Sequence, residues 1–269
     1  MEWTEIAGYF GALLVGFSLG FIGGGGSILT VPILKYLLGF SAVLSTAYSL
    51  FIVGIAALWG SIGYFRRNLV NLKAYILFAI PSLIAVSMTR KFVIPALPDP
   101  AIILGISIGK DVYIMCVFAI VMILASYSMI RSSKTLSGDG IVKLKPEHYL
   151  LIITEGLGVG VLTGFVGAGG GFLIVPALVL LVKLPILEAI GTSLLIIATK
   201  SLIGFFYGDA TEQIIDWNFL LLFSLFAVIG IFIGTIVARK TKPHKIKSFF
   251  GWFVLVMGLF IILKELLLE

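Results

Sequence analysis

The sequence predicts an all-α polytopic membrane protein made of two inverted-topology repeats. Each repeat is a glycine-broken, re-entrant helix unit followed by three transmembrane helices. Three observations carry this expectation. Of 269 residues, 60% are hydrophobic and 12% charged, too little charge to cover a soluble domain of this length. Residues 16–35, GFSLGFIGGGGSILTVPILK, return at 160–179 as GVLTGFVGAGGGFLIVPALV, with ten of the first nineteen aligned positions identical. Equivalent loops of the two halves also carry opposite charge.

Apolar segments fall at about 6–22, 27–38, 43–65, 74–94 and 101–130, and again at 149–166, 171–182, 186–207, 217–238 and 247–264. The hydrophilic stretch RSSKTLSGDGIVKLKPEH from Arg131 to His148 is the one linker, so repeat one is 1–130, the linker 131–147 and repeat two 148–269. Segments 27–38 and 171–182 have 12 residues each. At 1.5 Å per residue they cover about 18 Å, little more than half of a hydrocarbon core of about 30 Å. Each follows a glycine cluster that should break the preceding helix. The first stretch has no basic flank before it and begins the repeat, so it does not read as a cleaved signal.

Loop 66–73 carries Arg66, Arg67 and Lys73 without an acid, whereas its counterpart 208–216 carries Asp209, Glu212 and Asp216 without a base. Basic loops mark the cytoplasmic side, so these counterparts belong on opposite faces. The linker (Arg131, Lys134, Lys143, Lys145) and loop 239–247 (Arg239, Lys240, Lys242, Lys245, Lys247) are also basic. All three basic loops share the cytoplasm only if each broken unit enters and leaves on one face. Three full crossings per half then remain, an odd number, so the halves invert and both termini lie outside. Arg90, Lys91 and Lys110, in a loop 90–110 placed outside, run against the rule. Eight plain crossings with parallel halves would expel one of the other basic loops, a worse fit.

The net charge of +6 sits in these short loops and is not a nucleic-acid footprint. Cys116 is the single cysteine and can form no internal disulfide. His148 and His244 are far apart at loop-to-helix boundaries and do not make a metal site. No metal or cofactor is expected. No Gly-Lys-Ser/Thr follows either glycine cluster, so the energy source should be an ion or substrate gradient. No His–Asp, Ser–His or metal-ligand cluster lies on the spans, which argues against an enzyme.

The paired GFxGxGG…VPxL motifs, Gly20–Leu34 and Gly164–Leu178, resemble the TauE/SafE family of sulfite exporter-like permeases. The size, the duplication and the basic mid-chain linker are similar too, and the resemblance covers essentially the whole chain. It implies transport of a small sulfur-containing anion, such as sulfite or an organosulfonate, across the cell membrane. Ser27 stands where repeat two has Gly171, and Ala168 where repeat one has Gly24; neither change threatens the turn.

The half-helices should start near Ser27 and Gly171, each offering free N–H groups and about half a positive charge. Gly23, Gly24, Gly25, Gly26 and Ser27, with Gly167, Ala168, Gly169, Gly170 and Gly171, are the candidate anion cradle, because a main chain without Cβ atoms can be approached closely. Close helix packing is the bland reading of the same glycines. Pro32 and Pro176 fall within or near the first turns, where a missing N–H is tolerated. Lys200, in SLLIIATKSLIGFF, lies mid-span and should have a partner, either substrate or a structural ion pair. Its counterpart near Gly54–Ala56 carries no charge. Glu155 is a candidate proton-coupling carboxylate or an interfacial residue. Lys35 should snorkel to the interface. Ser45-Thr46 and Gly191-Thr192-Ser193 also correspond, and their hydroxyls can cap a span or ligate an anion. Trp3, Trp59, Trp217 and Trp252 read as interfacial anchors, Trp59 lying deepest.

The expectation is thus a secondary transporter in the lipid bilayer, alternating access around the anion. An ion channel filtered by the paired glycine turns, or a carrier of another small solute, are the alternatives. A homo-oligomer is left open.

Overall fold

The structure, a computed structural model, describes residues 3–24, 26–103, 106–131, 147–166, 171–180, 184–208, 210, 214–241 and 243–267. Ten helices occupy most of them: α1 Trp3–Ile22, α2 Ser27–Leu37, α3 Ala42–Phe65, α4 Leu72–Ala96, α5 Lys110–Arg131, α6 Glu147–Val166, α7 Gly171–Leu180, α8 Ile186–Tyr207, α9 Trp217–Lys240 and α10 Pro243–Leu267. The linker from 132 to 146 lies outside the described residues.

Helix ends follow from local chemistry. Ser41 caps α3 by accepting from Leu44 N at 3.2 Å. Asn71 caps α4 from Ala74 N at 3.0 Å, and Asp216 caps α9 from Phe219 N at 3.1 Å. Pro32 is the sixth residue of α2, in its second turn. Its missing N–H breaks the i→i−4 ladder, and the helix continues through a π turn, Ile33–Leu37. Two segments differ from the sequence reading. Residues 101–108 are not part of the following helix; β1 Ala101–Ile103 and β2 Ile106–Ile108 form a two-stranded antiparallel ribbon, the one departure from helix among the described elements. Residues 89–96 continue α4 through a second π turn instead of opening a loop. Arg90 is therefore 2% exposed inside the bundle, and Lys91 Nζ lies 4.6 Å from the centre of the Tyr207 ring. Their charges are held by the protein rather than offered to a loop.

Among the described residues, four helices are long and apolar enough to cross a membrane: Ala42–Phe65, Leu72–Ala96, Leu187–Tyr207 and Trp217–Ala238. Exposed Ile76, Ile80, Ile84 and Met88 form a row four residues apart along α4, and Leu221, Leu225, Phe232 and Ile236 mark a similar face of α9. Such rows suit lipid and not water.

The interhelical contacts keep their pattern when the two halves are exchanged. α1 packs on α9 as α6 packs on α4; α3 packs on α9 as α8 packs on α4; α2 packs on α3 as α7 packs on α8. Counterparts meet directly in the pairs α3–α8 and α5–α10. Residue partners give the directions. Phe51, Gly54 and Gly60 of α3 meet Phe205, Leu202 and Leu194 of α8, so these two run antiparallel. Gly258 of α10 meets Ala119 and Met122, while Trp252 neighbours Tyr127 and Ile130, again antiparallel. α1 is parallel to α9, with Leu13 and Phe17 against Gly230 and Gly234. α3 is parallel to α9, and α4 to α6 and α8. It follows that α3, α5 and α9 end on the face where α4, α6, α8 and α10 begin.

Glycine makes the parallel crossings possible. A Cβ on Gly16 or Gly20 would strike the carbonyls of Ala227 or Ile231, and one on Gly160 would strike that of Ser82. These outer glycines of the repeated motif are packing residues, the role weighed for the whole cluster.

Candidate functional site

The first glycine turn meets the start of α7. Gly23 and Gly24 have φ of +77° and +141°, conformations open to glycine, and they turn the chain from α1 into α2. A Cβ on Gly24 would lie 2.7 Å from the Gly171 carbonyl oxygen, and one on Gly171 2.6 Å from Gly24 Cα. Gly171 is the first residue of α7, so the half-helices begin back to back with main chain against main chain. Gly25, Gly167, Ala168, Gly169 and Gly170 lie outside the described residues. At the start of α2, Ser27 Oγ donates to Gly24 O at 2.8 Å, and Gly26 supplies no side-chain cap.

Lys200 is 0% exposed. Its Nζ donates to Thr163 Oγ1 at 3.0 Å, and among the described residues this is its one acceptor. Thr163 in turn donates to Val159 O. It lies in the last turn of α6, four residues before the glycine run, where the helix dipole is negative and welcomes a cation. Ile197, one turn before Lys200, packs on Gly171. Lys200 thus lies one turn along α8 from the residue that packs on the junction, with three N–H donors and one protein acceptor, and without a carboxylate partner among the described residues. Its counterpart region on α3 is Gly54, which is filled by Leu202 and offers no charge.

The candidate hydroxyls are engaged with the protein. Ser193 Oγ bonds the Gly23 carbonyl and Ile190 O, pinning the first glycine turn. Thr192 Oγ1 accepts from Asn71 N at 2.9 Å, tying the cap of α4 to α8. Thr46 Oγ1 donates to Val43 O at 2.8 Å, and Ser45 Oγ to Phe40 O at 3.4 Å. In repeat one the tie corresponding to Thr192 is made by Tyr48, whose OH accepts from Asp216 N at 2.9 Å. The repeats keep the device and change the residue, which is why sequence alignment led to Thr46 and missed Tyr48. Glu155 is half-buried in α6, its Oε2 without a partner among the described residues. Its spacing to Val159 and Thr163 puts the three on one helical stripe, with Glu155 about 12 Å from Thr163 along the axis.

Lys35, like Arg90 and Lys91, differs from its sequence reading. Lys35 does not snorkel: its Nζ lies 2.7 Å from Glu265 Oε1, with side chains 9% and 1% exposed. Local pattern could not reveal a partner 230 residues away. Trp59 is about half-exposed on α3 and faces outward.

A profile of the family described as "Sulfite exporter TauE/SafE" matches residues 9–261. A "Probable membrane transporter protein" of Xylella fastidiosa (strain Temecula1) is 28% identical over 265 residues, covering 94% of this chain and 92% of the relative. A similarly described protein of Methanocaldococcus jannaschii is 25% identical over 269 residues, covering 93% and 94%. No solved structure matches the chain.

Proposed function

This chain belongs to the sulfite exporter TauE/SafE family, and from that membership we propose that it is a multi-pass secondary transporter of a small sulfur-containing anion such as sulfite or an organosulfonate. The anion sits at the paired starts of α2 and α7, its charge met by their N–H groups and by Lys200. The observation that carries this reading is Lys200 itself, fully buried beside the Gly24–Gly171 contact with a single hydroxyl partner. A charged lysine in a membrane interior needs a counter-charge, and an anion there supplies it.

The two repeats are inverted in this reading. The antiparallel pairing of α3 with α8 and of α5 with α10 supports it, because a two-fold axis in the membrane plane reverses counterparts and an axis along the normal does not. The face carrying Arg66, Arg67 and Lys240 is cytoplasmic, together with the linker, and both termini are external. Rocking of one repeat against the other exposes the site to each side in turn.

The decisive experiment is flux of sulfite, thiosulfate, sulfoacetate, taurine and sulfate in proteoliposomes. The expected result is saturable uptake of at least one of the anions, accelerated by the same anion on the opposite side. Saturable transport of a cation or a neutral amino acid, with none of the anions moving, would overturn the anion site; anion flux without counter-stimulation would make the protein a channel. Topology is tested separately with an impermeant thiol reagent, after Cys116→Ala. Cysteines replacing Asn68 and Ile214 should label from opposite sides of oriented vesicles, and labelling from one side would sink the inverted arrangement.

A further inference from the structure

α2 is held at both ends. Its start abuts Gly171, and its π turn carries Lys35 and Tyr36 to a single carboxylate of the other repeat. Glu265 Oε1 accepts from Lys35 Nζ at 2.7 Å and from Tyr36 OH at 2.7 Å. A π turn winds more residues per turn than an α turn, so chain neighbours diverge less and both can reach one acceptor. Glu265 is 2% exposed, and its Oε2 has no partner among the described residues. Lys264 lies 4.0 Å from the centre of the Tyr36 ring, whose edge-on neighbour is Phe260. Cys116 of α5 lies within the field of both charges. Among the described side chains of neighbouring helices, Tyr113 donates to Pro98 O, and Tyr9 packs against Phe223 and Phe226.

The arrangement exists once. The positions of α7 that correspond to Lys35 and Tyr36, 144 residues on, are Val179 and Leu180. One end of the pseudo-symmetric bundle is therefore closed by an ion pair between repeats, and the other has none at this place. The ion pair lies where α10 ends and α5 begins, the face opposite the basic loops.

We propose that Lys35, Tyr36 and Glu265 form an ionic latch between the repeats, and that Glu265 is the proton-coupling carboxylate of the carrier. Its idle oxygen takes a proton from the face on which it lies; the neutral acid lets go of the Lys35 ammonium; and α2, freed at that end, moves away from α10 and opens a path to its own N-terminus. A buried pair suits this role because one proton converts an attraction into an unpaired buried charge. The coupling part of the proposal rests on the anion-carrier reading; the latch itself does not.

The test uses the single native cysteine as reporter. At fixed pH, Glu265→Gln and Lys35→Met should both speed reaction of Cys116 with a water-soluble maleimide, by about tenfold or more. The pair Lys35→Glu with Glu265→Lys should return the rate to near its starting value. Opposite changes in the two single variants would mean that the charges act only on the thiol, and the latch would be wrong. Unchanged rates would overturn it equally. Glu188→Gln, in the first turn of α8, serves as the control and should leave the rate alone. In vesicles, Glu265→Gln should keep sulfite counterflow and lose acceleration of sulfite flux by a pH gradient. If acceleration survives, the coupling is overturned. If the wild type moves no sulfite, the carrier reading for that anion fails while the labelling rates still decide the latch.

Discussion

Lys200→Met should abolish anion binding while leaving the helices assembled. Methionine keeps the unbranched apolar stem and removes the ammonium that Thr163 alone accepts from among the described residues. A charge-assisted hydrogen bond is worth about 1.5–3 kcal/mol, a factor of roughly ten to a hundred or more in dissociation constant. Loss of attraction in a poorly hydrated site adds to this. Stability should hold or rise, because the wild type buries a cation with incomplete hydrogen bonding. The measurement is sulfite binding beside thermal unfolding in detergent. A large fall in melting temperature with unchanged affinity would make Lys200 a structural residue that steadies the end of α6.

Gly16→Ala should damage the fold more than any single change at the site. The new methyl would enter the Ala227 carbonyl, and α1 could not stay against α9. Gly160→Ala should do the same where α6 crosses α4 at Ser82. Overpacking of this kind costs about 1–3 kcal/mol or more when the neighbour is main chain. Gly63 and Gly158 are the controls, since a Cβ on either meets nothing within 4 Å. Alanine at those two positions should be neutral or slightly stabilising through helix propensity. The readout is the monodisperse fraction after mild heating. Equal losses at all four positions would refute the packing role.

Most helices could be read before any coordinates, because lipid imposes long apolar runs and confines breaks to glycine clusters. α3, α8 and α9 begin and end within about two residues of the apolar segments that announced them. The ribbon at 101–108 escaped because AIILGISI is as apolar as a helix and too short for periodicity to decide. The role of Gly16 and Gly20 was present in their four-residue spacing, but the helix they pack on lies about 210 residues away and no local pattern names it. Lys200 could be read as a site because a lone charge in an apolar run has few explanations. Glu265 could not, since an acid near the end of a span looks interfacial until its distant partner is seen. The Tyr48–Asp216 tie was hidden for a related reason: the repeats share backbone geometry more faithfully than side chains.

The contact of Gly24 with Gly171 limits how this protein can change. In the proposed carrier Gly24 and Gly171 meet main chain to main chain, so neither residue has a side chain that could be exchanged to suit a different cargo. Substitution at either glycine removes the junction instead of retuning it. On the proposed reading, new specificity would come from the neighbouring residues Ile190, Ser193, Ile197 and Lys200, all on α8. A scaffold of this kind keeps its centre fixed and diversifies along one helix.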